Sequence, residues 1–452
     1  MHSPRLVFAA PASGSGKTTV TCGILQALKN RGMRISSFKC GPDFIDPMFQ
    51  EKVIGVRSGT LDLFFSGEDT LRRLFCRHAA GADLSVVEGV MGYYDGLSAA
   101  TDEASTYHVA QALEAPVILI VNARGQALSA LAQLEGFLRF RPSSGIRGVI
   151  FNQMSQSVFR ALEPEVRRLG VLPAGYLPRV NDLVIESRHL GLVTPGEIAD
   201  LGGRLQRLAA LLEQTLDLEA LLRLAEEAPD LSCPPEPAMP PMPETKLAVA
   251  MDEAFCFLYR DNLQLLERCG AKLLFFSPLR DAKLPAGAQG LLLPGGYPEL
   301  YAAALSENRA MRGAIADAVR SGLPCLAECG GFLYLHRELE DMDGAFHPMA
   351  GVLDARAYRT NRLGRFGYVT LRAREASAFF AAGEQIRAHE FHYFESEDCG
   401  GAMLAEKPAG GRTWTCIHAE GDLFAGFPHL FYESNPMPVR RFLRRCAEKG
   451  GV

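Results

Sequence analysis

The sequence predicts an α/β protein with two domains, the first of them built around a mostly parallel sheet. In the N-terminal half, strand-like apolar runs alternate with helical patterns, as they do in βαβ units. The chain of 452 residues is too long for one ordinary core. Prolines crowd residues 229–243, a composition that indicates a semi-rigid linker. We therefore expect domains over residues 1–228 and 246–452, joined by a linker over 229–245.

Composition favours a soluble protein of the cytoplasm. The chain is 48% hydrophobic and 22% charged, with a net charge of −5, which argues against a nucleic-acid-binding surface. No apolar run reaches about 18 residues, so we expect no membrane span. The first strand begins too early to leave room for a signal peptide. The 11 cysteines lack C-x-x-C spacing, which favours free thiols over disulfides or a zinc site.

The first motif is a Gly-rich turn between a predicted strand at 6–10 and a predicted helix at 20–31. This order is typical of a P-loop, whose backbone N–H groups cradle phosphate at a helix N-terminus. Lys17 would reach the β- and γ-phosphates, and Thr18 would offer its hydroxyl to Mg²⁺. Pro11 replaces the first glycine of the usual motif, and spacing does not explain it. The predicted nucleotide-binding residues of the loop are Ser13, Gly14, Ser15, Gly16, Lys17, Thr18 and Thr19.

Polar side chains follow the next predicted strands, which cover 34–39, 84–88, 116–121 and 148–152. Ligands of open α/β sheets bind beyond the carboxyl ends of the strands, so these side chains should share one rim with the P-loop. The residues concerned are Lys39, Asp43, Asp46, Glu88, Asp95 and Asn152.

Each of these residue types suits a nucleotide site. Glu88 ends its strand as the acidic residue of a Walker B motif does, and could hold Mg²⁺ directly or through water. Lys39 would add a second cation opposite the γ-phosphate. Asp43 and Asp46 are candidates for a metal or substrate role, although aspartate is also common in such turns for conformational reasons. The amide of Asn152 could recognise adenine.

The second half contains a predicted elbow at Cys329, where a strand turns sharply through two glycines into a helix. Such an elbow exposes a nucleophile, and we expect the helix N-terminus to lower the pKa of the thiol. Gly295 and Gly296 form another turn after a strand and could offer N–H groups to an oxyanion. We choose His429 as the base. The predicted elements around them are a helix at 201–225, strands at 247–250, 272–276, 290–294 and 324–328, and helices at 262–269 and 308–320.

The region 368–418 is richer in strand signals and carries His389 and His392. Their alternating spacing is a weak signal for metal binding, so we favour a structural or substrate-contact role.

Together these motifs resemble the cobyrinate a,c-diamide synthases of corrinoid biosynthesis. In that family a P-loop domain of the dethiobiotin-synthetase type is fused to a class I glutamine amidotransferase domain, which implies a flavodoxin-like C-terminal glutaminase here. The segment 88–96 is the most family-specific, since the related cobyric acid synthases differ after the same strand. The matching segments are 13–19, 38–46, 87–96, 188–192, 252–255, 294–299 and 328–331, so the resemblance covers essentially the whole chain.

The resemblance implies that glutamine is hydrolysed at Cys329 through a thioester and that its ammonia is used in the N-terminal domain. There a corrinoid carboxylate would attack the γ-phosphate of ATP, and ammonia would displace phosphate from the acyl phosphate. The implied catalytic residues are Cys329, His429, Lys17, Lys39, Asp43 and Asp46. The implied oxyanion donors are Gly295, Gly296 and Gly330, the metal ligands Thr18, Asp43 and Glu88, and the substrate-orienting residue Asp95.

The sequence departs from related family motifs at two positions, and two alternative functions stay open. Phe431 stands where class I glutaminases have an acid, which suggests weak glutaminase activity until the synthetase site is loaded. Ala12 stands where the partition-type P-loop ATPases carry a signature lysine, which argues against that class of ATPase. The same chemistry on hydrogenobyrinate or nickel-sirohydrochlorin stays open, as does a non-catalytic P-loop switch that binds a partner protein. The expected ligands are ATP, Mg²⁺, L-glutamine and a tetrapyrrole, with no nucleic acid or membrane partner, and a homodimer is among the open oligomeric states.

Overall fold

The computed structural model describes residues 1–183 and 195–450, so the family-like segment 188–192 lies outside the described residues. The chain divides into two compact units, Met1–Glu236 and Pro237–Val452. The division therefore falls inside the Pro-rich stretch. In the described part of the chain, no helix is both long and apolar enough to cross a bilayer.

The first unit is built on a seven-stranded sheet in the order β3-β2-β4-β1-β5-β6-β7, and every strand pair is parallel. The predicted parallel sheet is thus confirmed. Its strands are β1 Arg5–Ala9, β2 Ile35–Cys40, β3 Ser58–Leu61, β4 Leu84–Glu88, β5 Val117–Asn122, β6 Ile146–Asn152 and β7 Leu172–Leu177. Its helices are α1 Lys17–Asn30, α2 Ile45–Phe49, α3 Glu68–Ala79, α4 Thr106–Ala112, α5 Leu128–Phe140, α6 Gln156–Arg168, α7 Pro195–Thr215 and α8 Leu218–Glu226.

Strand order explains why the predicted site residues meet. The P-loop follows β1, whose neighbour β4 ends at Glu88, and β2 lies on the far side of β4. Lys39 of β2 is in register with Glu88 of β4. Three consecutive strand ends therefore place the P-loop, Glu88 and Lys39 side by side.

The helix predicted over 201–225 is wrong in one respect, because the chain breaks it in two. Helix α7 ends at Thr215, and Asp217 caps α8 by accepting a 2.9 Å hydrogen bond from the Ala220 N–H. Leu216 between them forms an isolated bridge with Gly175. The apolar periodicity continues through both helices and hides the break, whereas Asp217 is an N-cap signal that could have revealed it.

The prediction of free thiols is wrong for two of the cysteines. Cys76 of α3 and Cys233 are joined by a disulfide that closes 157 residues of chain. The segment around Cys233 is held there by further contacts of the same unit, including a 3.0 Å bond from the Leu231 N–H to the Met1 carbonyl. Spacing along the sequence carries no information about a contact between such distant positions.

The second unit has a parallel sheet in the order β20-β11-β10-β8-β9. Two smaller sheets accompany it, β13-β12-β14-β17 and β19-β18-β15-β16-β21, and the second confirms the strand-rich region predicted at 368–418. The helices are α9 Arg260–Arg268, α10 Ala302–Glu307, α11 Arg309–Arg320, α12 Gly330–Tyr334 and α13 Pro436–Lys449. The strands are β8 Thr245–Ala250, β9 Ala271–Phe276, β10 Gly290–Leu293, β11 Cys325–Glu328, β12 His336–Glu340, β13 Phe346–Pro348, β14 Leu353–Arg359, β15 Arg365–Ala373, β16 Gln385–His392, β17 Phe394–Ser396, β18 Met403–Glu406, β19 Thr413–Cys416, β20 Leu423–Gly426 and β21 His429–Leu430.

Candidate active sites

The P-loop contains two glycines in a backbone conformation that favours glycine. Gly14 and Gly16 have φ values of 77° and 95°, in the left-handed region that favours glycine. A Cβ on Gly16 would also lie 2.2 Å from Asn152 Nδ2. That amide donates a 2.9 Å hydrogen bond to the Ser15 carbonyl, so Asn152 holds the loop. Its recognition of adenine stays a prediction.

Lys17, the first residue of α1, has its ammonium group at the mouth of the loop. Its Nζ donates to the carbonyls of Ala12, at 3.2 Å, and Met91, at 2.5 Å. Burial lowers the pKa of Lys17 to about 8, and the charge of Lys39 adds to the effect. The hydrogen-bond acceptors of the ammonium group are thus neutral carbonyl oxygens. A negatively charged phosphate would stabilise the ammonium form more strongly.

Next to Lys17 lies a buried group that we call the acid–lysine cluster, formed by Thr18, Lys39, Asp46 and Glu88. Lys39 Nζ lies 2.5 Å from Asp46 Oδ2 and 2.7 Å from Glu88 Oε1. Thr18 Oγ1 donates to the same Glu88 oxygen at 2.7 Å. Both carboxylates and the lysine are almost wholly buried, so their charges interact strongly.

The cluster holds more acid than base. Burial raises the pKa of Glu88 to about 7, against the opposing charge of Lys39. Burial also raises the pKa of Asp43 to about 6, with the charge of Asp46 adding to it. Burial opposes the charge on Lys39, but Glu88 and Asp46 outweigh it and raise its pKa. Binding of a further cation would therefore stabilise the ionised carboxylates.

The oxygen atoms of the cluster suit Mg²⁺. Asp46 Oδ1 is buried and has no hydrogen-bond partner among the described residues. A threonine hydroxyl and carboxylates are the hard oxygen ligands that Mg²⁺ prefers. No preformed cage of three or more His, Cys, Asp or Glu side chains occurs in the described ranges. Because Mg²⁺ usually keeps several waters and phosphate ligands, it needs no such cage.

The other two predicted aspartates order the backbone around the cluster. Asp43 Oδ1 accepts hydrogen bonds from the N–H groups of Ile45, at 2.8 Å, and Asp46, at 3.3 Å, so it sets the start of α2. Asp95 Oδ2 accepts from the Gly92 N–H at 2.8 Å and orders the turn after β4. Their proposed roles toward metal and substrate stay predictions.

Sequence reasoning missed Gln50. Its Nε2 donates to Glu88 Oε2 at 3.2 Å, and its Oε1 accepts from Ser37 Oγ at 2.6 Å. Gln50 opens a π-helical turn, Gln50–Ile54, that follows α2 directly. No motif marks such a residue, because only the fold of α2 over the sheet brings it to Glu88.

In the second unit the chain makes the predicted elbow at Cys329. Its φ of 46° is in the left-handed region, which is unusual for a residue with a side chain. Cys329 joins β11 to α12, and its N–H donates to the Gly426 carbonyl at 2.8 Å. Such a strained strand–turn–helix junction is typical of nucleophile elbows.

Glycines allow three other segments to approach the elbow. A Cβ on Gly330 would lie 2.8 Å from the Gly296 nitrogen, and one on Gly296 would lie 2.0 Å from the Ala254 carbonyl oxygen. A Cβ on Gly295 would lie only 2.2 Å from His429 Cε1. The structure thus brings Gly295, Gly296 and Gly330 together with His429, as an oxyanion site and its base require.

The expected lowering of the Cys329 pKa is wrong, because burial dominates. Burial raises the pKa of the thiol, with the charge of Glu299 adding to it, and the Gly330 N–H opposes them only in part. Burial, helped by the charge of His392, lowers the pKa of His429 to about 3. The resting site therefore holds a neutral thiol and a neutral imidazole, the starting point for proton transfer from sulfur to nitrogen.

Comparisons with known proteins cover both units. The CobQ/CobB/MinD/ParA nucleotide binding domain family matches residues 6–193, and the CobB/CobQ-like glutamine amidotransferase domain family matches residues 246–437. A cobyrinate a,c-diamide synthase from Caldanaerobacter subterraneus subsp. tengcongensis is 38% identical over 98% of both chains. One from Gloeobacter violaceus is 40% identical over 98% of this chain and 96% of its own. A hydrogenobyrinate a,c-diamide synthase from Streptomyces coelicolor is 39% identical over 98% of this chain and 97% of its own.

Proposed function

The chain belongs to the family of cobyrinate a,c-diamide synthases, and we propose that it amidates the a and c acetate carboxylates of cobyrinate, using ATP and glutamine. The observation that carries the proposal is a P-loop with its acid–lysine cluster in the same chain as the strained elbow of Cys329. A carboxylate-activating site and an ammonia-releasing site are the parts that such a ligase needs.

The glutaminase reaction follows from the elbow. His429 takes the proton of Cys329, and the thiolate attacks the carboxamide carbon of glutamine. The oxyanion that forms is stabilised by backbone N–H groups at Gly296 and Gly330, which lie next to each other. His429 returns the proton to the leaving nitrogen, ammonia departs, and water then hydrolyses the thioester to glutamate.

The synthetase reaction follows from the first unit. An oxygen of the substrate carboxylate attacks the γ-phosphorus of ATP, and ADP leaves. Lys17 stabilises the charge that develops on the phosphate, and Lys39 adds a second positive charge nearby. Mg²⁺, held by Thr18, Asp46 and Glu88, would supply further charge neutralisation. Ammonia then attacks the acyl carbon, phosphate leaves, and the nitrogen loses a proton to give the amide.

A second substrate candidate is hydrogenobyrinate, the metal-free macrocycle. The Streptomyces coelicolor relative, 39% identical, is named a hydrogenobyrinate a,c-diamide synthase. Both macrocycles present the same acetate side chains, so the same residues could activate either of them. We also propose that residues 1–228 act as the synthetase domain and 246–452 as the glutaminase domain, and that the enzyme works in the cytoplasm.

The test is an amidation assay on purified protein with ATP, MgCl₂ and glutamine labelled with ¹⁵N in its side-chain amide. Cobyrinate, hydrogenobyrinate and nickel-sirohydrochlorin are supplied separately, and products are identified by mass. We expect two labelled amide nitrogens in cobyrinate, with ATP consumed in proportion. Failure to label any macrocycle would refute the proposal and favour a non-catalytic P-loop switch.

A further inference from the structure

The strongest unassigned feature is a buried pair of ionisable residues one strand away from the predicted base. Glu390 and His392 lie on β16, the strand that pairs with β21 and places His389 opposite His429. Glu390 is fully buried and His392 is 6% exposed. The glutaminase mechanism above uses neither of them, and burying an ionisable group is costly unless it is paired and hydrogen-bonded.

The hydrogen bonds of His392 fix the orientation of its ring. Its Nδ1 lies 2.5 Å from the Phe394 carbonyl oxygen, which can only accept, so Nδ1 carries a proton. Its Nε2 lies 2.9 Å from Glu390 Oε1, and Arg365 Nη1 lies 3.6 Å from the same carboxyl oxygen. Glu390 and His392 therefore form a buried, hydrogen-bonded pair.

His392 is connected to the segment that carries His429 by a ring stack. The His392 ring lies parallel to that of Phe427, with a centroid distance of 3.8 Å and an interplanar angle of 10°. Phe427 also packs edge-on against Phe332 of α12, the helix that begins after Cys329. The residue before Phe427 accepts the hydrogen bond of the Cys329 N–H. Two residues after Phe427 comes His429.

We propose that the Glu390–His392 pair positions His429 against Cys329 by fixing Phe427 through the ring stack. This inference rests on the proposed glutaminase reaction and deepens it. The acid that class I glutaminases carry two residues after their histidine is Phe431 here. The pair would hold the base in place through Phe427, which precedes His429 by two residues, instead of through an acid that follows it.

The same arrangement predicts a pH effect with a definite sign. The charge of His392 lowers the pKa of His429, so replacing His392 by an uncharged residue should raise that pKa. The acid limb of the rate profile for glutamine hydrolysis should then move to higher pH. The other titratable or charged groups around this region stay in place: His389 across the strand pair, Glu299 and Glu328 beside Cys329, and Arg365 and Lys407 beside Glu390.

The experiment compares Glu390→Gln, His392→Gln and His392→Phe in the full-length chain, with glutamine hydrolysis measured in the presence of ATP, MgCl₂ and cobyrinate. His392→Gln loses both charge and stack, so we expect kcat to fall by about 10- to 100-fold with little change in the KM for glutamine. His392→Phe keeps a ring against Phe427 and should recover much of kcat while its acid limb still moves to higher pH. Glu390→Gln replaces the carboxyl group that holds His392 Nε2 and should also lower kcat, but by less than His392→Gln.

The melting temperature of each variant reports whether the second unit is folded, ammonia-dependent amidation reports on the first unit, and His347→Gln is the matched control. His347 also bonds to a carboxylate, Asp341 at 2.7 Å, in the same unit. Variants with an unchanged kcat and an unmoved acid limb would overturn this inference but not the proposed function. A loss of glutamine hydrolysis that merely follows a fall in melting temperature would do the same, since the pair would then be structural. A wild-type protein without glutaminase activity would overturn the proposed function as well.

Discussion

The two candidate sites of this chain differ in the groups that form them, charged side chains in one and backbone in the other. The synthetase site is assembled from charged side chains, with Lys39 between Asp46 and Glu88 at distances of 2.5 and 2.7 Å. The glutaminase site is assembled from backbone, with a strained Cys329 and glycines that touch neighbouring segments. The first should therefore fail when a charge is removed, and the second when a methyl group is added.

The largest effect is expected from Cys329→Ser. Without its thiol the second unit cannot form the thioester, so glutamine-dependent amidation should fall by about 10⁴-fold. Amidation with ammonium chloride as nitrogen donor should continue, because the acid–lysine cluster belongs to the other unit. Product formation with each nitrogen source is the measurement. An equal loss with both donors would show that the sites are not separable in this way.

Lys39→Met should affect stability as well as chemistry. It leaves Asp46 and Glu88 buried without their cation, at a cost of about 3–5 kcal/mol in the free energy of unfolding. ATP-dependent turnover should be lost at the same time. Urea denaturation of the first unit is the measurement. The control is Arg34→Met, which removes an exposed ion pair with Asp83 and should leave the free energy of unfolding nearly unchanged. Equal costs for the two variants would contradict the picture of a buried cluster.

Gly295→Ala tests the backbone-built site with a single methyl group. Its Cβ would lie 2.2 Å from His429 Cε1, so the base must move. A displacement of this size should lower glutamine hydrolysis by about 100-fold, with ammonia-dependent amidation retained. Gly313→Ala is the control, because its Cβ would meet no atom within 4 Å. Normal glutaminase kinetics in Gly295→Ala would show that His429 is placed elsewhere.

The pH dependence of ATP binding tests the charged site without a substitution. Lys17 has a pKa lowered to about 8, mainly by burial, and only its protonated form attracts phosphate. Affinity for ATP should therefore be highest below pH 8 and should fall by several-fold as the pH rises through 8. Bound phosphate favours the ammonium form, so the midpoint should be higher in the ATP complex. Calorimetric titration with a non-hydrolysable ATP analogue measures it, and a flat profile up to pH 9.5 would refute it.

The smallest effect concerns the disulfide, which belongs to the first unit alone. Denatured but unreduced protein should react as nine thiols, because Cys76 and Cys233 are joined and the other cysteines are free. Prior reduction should raise the count to 11, the number of cysteines in the chain. A titration that finds 11 thiols without reduction would show that Cys76 and Cys233 are free, as the sequence alone suggested.

The features that depend only on neighbouring residues could be predicted from the sequence. The P-loop, the ends of β2 and β4 and the elbow at Cys329 follow from local patterns, because strand, turn and helix signals extend over few residues. Because the carboxyl ends of parallel strands lie at one edge of the sheet, the proximity of Lys39 to Glu88 could also be inferred from the sequence. The roles assigned to Asn152, Asp43 and Asp95 stay predictions, since their visible contacts are to backbone.

Contacts between distant segments, in contrast, are visible only in the folded chain. Gln50 at Glu88, His392 stacked on Phe427, and the Cys76–Cys233 disulfide join positions whose spacing carries no signal. The high pKa of Cys329 has the same origin, because burial is a property of the packed fold and outweighs the local effect of a helix N-terminus. Local sequence thus specified which groups could do the chemistry, whereas packing decided their protonation and their neighbours.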